Sequence, residues 1–127
     1  KPGWWRHFEW RELPPAELRD DARTLGGLRR TAREPFKAAP RKRRLTYEFE
    51  TAEQECRIPL GASVSLRGDA TNYAAAASTG ELPPLQRATL VALERAPGGD
   101  NQVTLLLECG EDPPREVSVL PEEFVNP

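Results

Sequence analysis

From Leu45 onward the chain repeats one pattern: short runs in which apolar and polar residues alternate, separated by turn-forming residues about every ten positions. "LTYEFE" sets Leu45, Tyr47 and Phe49 against Thr46, Glu48 and Glu50. Period two with aromatic and β-branched residues describes a strand with one buried face. Cys56, Ile58 and Leu60 alternate next, and Pro59 marks that run as an edge strand. "GASVSLRGD" places Ala62, Val64 and Leu66 on one side. "QRATLVALER" reads as a strand that is apolar on both faces at Leu90 and Val91. "QVTLLLEC" aligns Val103, Leu105, Leu107 and Cys109, and "REVSVLP" carries Val117 and Val119. Between the runs stand "TAEQ", "APGGDN" and "GEDPP", which are turn signals, and the longer "DATNYAAAASTGELPP", read as a loop.

Five or six short strands at this spacing predict a mainly β fold, a small barrel. Residues 45–127 are too few for an immunoglobulin sandwich of about 100 residues. The expected core is Leu45, Tyr47, Phe49, Ile58, Val64, Leu66, Leu90, Val103, Leu105, Leu107 and Val117.

Residues 1–44 read differently. Four of the nine aromatic residues, Trp4, Trp5, Phe8 and Trp10, crowd the first ten positions. Pro15 suits the first turn of a helix, and Leu18, Ala22 and Leu25 follow at i, i+4 and i+7. A helix near 15–25 is therefore expected, stopped by Gly26-Gly27. The following "LRRTAREPFKAAPRKRR" is basic and broken by Pro35 and Pro40, which suggests an extended arm. The expected organisation is a partly helical N-terminal arm over 1–44 and a barrel over 45–127.

Charge divides at the same place. Residues 1–44 carry thirteen Lys/Arg against six Asp/Glu, and residues 45–127 carry five against fourteen, within a net charge of −2. A basic arm on an acidic body suits an acidic partner. Buried tryptophan and arginine are common interface anchors, so Trp4, Trp5, Phe8, Trp10, Arg29 and Arg30 are the candidate partner-binding residues. Folding of the same aromatic residues back onto the barrel is the alternative. Arg41, Lys42, Arg43 and Arg44 are candidate phosphate contacts, which keeps nucleic acid open as a partner.

Catalytic patterns are sparse. His7 is the only histidine, and the serines lie outside a G-x-S-x-G elbow. Gly26-Gly27 and Gly98-Gly99 do not fit a phosphate loop. Two cysteines, Cys56 and Cys109, form no C-x-x-C pair. Buried free thiols are the first reading of them and a single disulfide is the alternative. Neither an enzyme, nor a metal site, nor a cofactor is expected. Mean hydropathy is −0.65, and no apolar run approaches the roughly 18 residues of a membrane span. Peripheral membrane contact through the arm is left open. The absence of methionine, even at position 1, admits a removed targeting peptide.

The runs "IPLGASVSLRG", "PLQRATLVALER", "QVTLLLE" and "REVSVLPEEFV" resemble the SH3-like small-barrel superfold. Two branches are similar: the accessory barrels of the photosystem I subunit IV type, and the bromo-adjacent-homology and Tudor-type reader modules. The aromatic cage of the readers has no counterpart beyond Tyr73. The first branch implies a non-enzymatic accessory subunit that docks on a large organellar, photosynthetic or ribosomal assembly through its arm. The second implies a chromatin or nucleic-acid binding module. An organellar location follows from the first.

Overall fold

The computed structural model describes residues 14–37, 41, 43–69, 85–95 and 102–121. It is a closed antiparallel barrel of six strands: β1 (Leu25–Arg30), β2 (Leu45–Ala52), β3 (Ser63–Gly68), β4 (Leu85–Arg95), β5 (Gln102–Cys109) and β6 (Glu116–Pro121). Round the barrel the order is β1, β2, β5, β4, β3, β6, and β6 closes on β1. Among the described residues a four-residue helix, α1 (Pro15–Leu18), precedes β1.

The alternating runs build the core as their spacing predicts. Tyr47 faces Leu107, Phe49 faces Leu105 and Thr51 faces Val103 across β2 and β5. Every residue of the expected core belongs to the central cluster or, for Leu45 and Ile58, packs against it half-buried. The doubly apolar look of "TLVAL" has a geometric cause. Leu90 pairs with Leu107 and Ala92 with Leu106, so Val91 is an extra residue at a bulge. A bulge shifts the inward parity by one. Ala88 and Leu90 point inward before it, and Leu93 packs against the core after it.

Two expected elements differ. The run Cys56–Leu60 forms no strand. Pro59 has no N–H to give a ladder, and Leu60 stands 62% exposed. The sixth strand comes instead from Leu25–Arg30, within the segment read as helix and arm. The helix over 15–25 is only Pro15–Leu18. It ends because Asp21 organises a turn: its Oδ1 accepts the Arg23 N–H at 3.0 Å, and its carbonyl accepts the Thr24 N–H at 3.0 Å. The barrel therefore starts at Leu25, not Leu45. The chain stays beside β2 as far as Phe36, which exchanges backbone hydrogen bonds with Thr46.

Gly26 and Gly27 do not stop a helix; they lie inside β1. The register of β1 on β6 shifts between Leu25 and Leu28, and Gly27 holds φ at +71°. There side chains replace the ladder. The Gln54 amide accepts the Gly26 N–H at 2.9 Å and donates to its carbonyl at 3.1 Å. Ser118 Oγ accepts the Gly27 N–H at 3.1 Å, and Thr51 Oγ1 donates to the Gly27 carbonyl at 3.1 Å.

A Cβ at Gly26 would overlap the carbonyl oxygen of Pro15 and come within 3.1 Å of the Leu18 Cβ. Gly26→Ala is expected to cost about 1–3 kcal/mol, the usual range for overpacking. A thermal melt checks this, and an unchanged midpoint would show that α1 moves aside freely.

Outside the barrel wall lies a second, smaller cluster. Leu18 of α1 is fully buried against Leu120 of β6, with Leu85 of β4 half-buried beside them. Among the described residues no helix is long and apolar enough to cross a membrane.

Candidate functional site

Antiparallel alternation brings the C-terminal ends of β1, β3 and β5 to the same end of the barrel as the N-terminal ends of β2, β4 and β6. That end collects arginines from distant parts of the chain. Arg30 and Arg33 close β1 and continue past it, and Arg41, Arg43 and Arg44 lead into β2. Arg87 stands near the start of β4, and Arg115 immediately precedes β6. Glu34, Glu48, Glu108, Glu111 and Asp112 share the region, so it is a mixed surface with an arginine excess.

A groove of about 790 Å³ opens here between two short segments. One wall is 30–35, from Arg30 through Thr31 and Arg33 to Pro35. The other is 112–115, with Asp112, Pro113, Pro114 and Arg115. The Arg30 N–H donates to the Arg115 carbonyl at 2.8 Å, which ties the walls together.

The guanidinium groups are held in place. Arg30 lies over the Tyr47 ring, 4.9 Å from its centroid, and its Nη1 donates to Asp112 Oδ1 at 3.3 Å and to the Pro113 carbonyl at 3.1 Å. Arg33 lies over the Phe36 ring at 4.3 Å, and its Nη1 reaches Glu48 Oε2 at 3.2 Å. Thr31 Oγ1 donates to the other Glu48 oxygen at 2.7 Å and accepts the Arg33 N–H at 3.2 Å. Stacking on an aromatic face favours a planar cation and limits its rotation. Burial, then the neighbouring Asp112 carboxylate, push the Tyr47 phenol above its ordinary pKa.

The sequence-derived candidates fall into four groups. Arg30 is in the groove. Arg29 is on the outer face of β1, set between Glu50 of β2 and Glu116 of β6 in register, with its guanidinium 3.6 Å from Glu116. Its charge is matched within the barrel wall. Arg41, Arg43 and Arg44 are exposed and make no ion pair among the described residues. Trp4, Trp5, Phe8, Trp10 and Lys42 lie outside the described residues, as do His7 and Tyr73. Arg115 was not singled out from the sequence. It comes from the acidic half of the chain, and only the barrel's connectivity sets it opposite Arg33.

Among the described residues no group of three or more His, Cys, Asp or Glu could hold a metal ion. Cys56 and Cys109 are both free thiols. Burial raises the Cys109 pKa to about 12, against the opposing pull of Arg44 and Arg30, so this thiol stays protonated at neutral pH. The groove offers positively charged hydrogen-bond donors, Arg30, Arg33 and Arg115, a chemistry that recognises oxyanions. Compared with protein-family models, with curated proteins and with solved structures, the chain matches none.

Proposed function

We propose that this chain is a non-enzymatic accessory subunit that docks on a larger multiprotein assembly, with the arginine end of the barrel facing an acidic surface of its partner. The observation that carries the reading is the state of Arg41, Arg43, Arg44 and Arg115. All four are exposed, and none has an ion-pair partner among the described residues. On a chain with net charge −2, such a concentration gives the barrel a polarity that steers and orients association. The SH3-like resemblance supports the same reading, because small barrels of that kind serve as docking modules. In this reading Trp4, Trp5, Phe8 and Trp10 supply apolar anchors beside the charged face.

The exposed pair Arg43 and Arg44 also favours a second reading, in which the acidic surface is the phosphate backbone of a nucleic acid. The test separates the two. The full chain and the Arg43→Glu/Arg44→Glu variant are used to recover partners from the source cells, identified by mass spectrometry. Both are also titrated with duplex DNA at two salt concentrations. The expected result is a protein assembly recovered by the parent chain and lost by the variant, with little DNA binding. Equal recovery by both chains would remove the docking reading. DNA binding that weakens steeply with salt, with the slope reduced by about 1 for each lost phosphate contact, would establish the second.

A further inference from the structure

We propose that the groove between residues 30–35 and 112–115 binds a small hydroxylated phosphomonoester, a molecule of the sugar-phosphate class, through Arg30, Arg33 and Arg115. The site shares Arg115 with the proposed docking face, while Arg41, Arg43 and Arg44 lie outside its lining. Its basis is donor capacity. Arg30 spends only Nη1, on Asp112 and the Pro113 carbonyl, and Arg33 spends only Nη1, on Glu48. Among the described residues the Nε and Nη2 groups of both have no acceptor, and the Arg115 side chain has none at all. Two of these guanidinium planes are fixed on aromatic rings, so little rotational freedom is lost when they take up an oxyanion. Planar forks with free N–H pairs match the oxygen spacing of phosphate.

The rest of the lining selects the ligand. At about 790 Å³ the groove falls within the size range of small-molecule sites, roughly 300–1,000 Å³. Asp112, Glu34 and the Pro113 carbonyl are acceptors beside the guanidinium groups. They oppose a continuous polyanion laid along the groove. They suit a molecule with one doubly charged phosphate at the arginines and hydroxyl donors turned toward the carboxylates. The open walls, of which Pro35, Pro113 and Pro114 form part, give such a ligand rigid sides.

The test reads the arginine Nε–H signals of the full chain by NMR during titration with inorganic phosphate, glycerol phosphate and decathymidylate. The expected result is a saturable shift of the Arg33 and Arg115 signals, with glycerol phosphate bound more tightly than inorganic phosphate. Arg115→Gln, a change at an exposed side chain, should weaken both by about tenfold, the loss of a charge-assisted hydrogen bond. Arg95→Gln, which removes the Glu53 partner at the opposite end of the barrel, should leave binding unchanged. Shifts that do not saturate, or an equal loss in Arg95→Gln, would overturn the site. Equal affinity for the two small phosphates would overturn the hydroxyl selection. Tighter binding of decathymidylate would overturn the small-molecule assignment in favour of a nucleic-acid track.

Discussion

Asp69→Ala is expected to destabilise the barrel by about 3–5 kcal/mol, the range for breaking a buried ion pair from one side. Arg67 has no exposed side-chain surface, and the Asp69 side chain is 7% exposed. Both Nε and Nη2 of Arg67 donate to Asp69 Oδ1, at 3.1 and 2.8 Å. The other oxygen, Oδ2, accepts the Ser118 hydroxyl at 2.6 Å, and Ser118 in turn accepts the Gly27 N–H. The Asp69 N–H donates to the Glu116 carbonyl at 2.8 Å. One carboxylate therefore joins β3, β6 and β1 where the barrel closes. Without it a guanidinium remains buried with one less counter-charge, and the Ser118 hydroxyl loses its acceptor. A domain of this size has only about 5–15 kcal/mol in total, so urea melts followed by circular dichroism will show the loss. A second variant isolates the charge. Adding Arg67→Met to Asp69→Ala should recover part of the stability, because an apolar side chain tolerates the site better than a buried guanidinium that has lost the Asp69 carboxylate. A single-variant loss below about 1 kcal/mol, the level of a surface pair, would show that solvent reaches the pair.

Leu105→Ala and Leu18→Ala are both expected to cost about 2–5 kcal/mol, the measured span for buried leucines. Leu105 is fully buried between Phe49 and Leu93 in register on its two neighbouring strands. Leu18 is equally buried, on the outside of the barrel against Leu120 and Leu85. From the sequence Leu18 belongs to a helix that needs a partner for burial, and its loss should matter little to the isolated chain. The structure reverses that expectation, because α1 already has its partner in β6. Denaturant melts of the two variants decide it. A Leu18→Ala loss of a few tenths of a kcal/mol would restore α1 to an independent arm.

How far the fold could be read from residues depends on where bulges fall. In β2 and β5 the alternation is unbroken, and their inward residues are legible one by one. In β4 the residue Val91 shifts the parity, so the strand reads as two-sided although it has one inward face at a time. In β1 the same effect hides the strand. Leu25 and Leu28 both enter the core across the Gly26-Gly27 irregularity, whereas Leu18, Ala22 and Leu25 at i, i+4 and i+7 read as a helical stripe that the glycine pair would end. The false strand at Cys56–Leu60 is the converse. Cys56 and Ile58 do pack on the core, which is the source of the alternation, but Pro59 and the lack of a neighbouring ladder leave the segment irregular. Of the candidate site, the basic character of Arg30, Arg33, Arg41, Arg43 and Arg44 was legible as a charge run. Arg87 and Arg115 were not, because they are isolated in an acidic stretch and only strand connectivity brings them to the same end.

The closure of the ring by β1 on β6 has a consequence for how the chain is made. The first strand is flanked by β2, which follows it, and by β6, the last of the six. The Gly27-to-Ser118 bond spans 91 positions. A ribosome delivers β1 long before β6 exists, so one flank of the first strand stays unpaired through most of synthesis. Contacts this distant in sequence form slowly, because the entropy of closing the loop must be overcome before they stabilise anything. Over that interval the glycine pair, where the register of β1 shifts, interrupts the regular edge that a waiting strand would otherwise present for pairing with another chain.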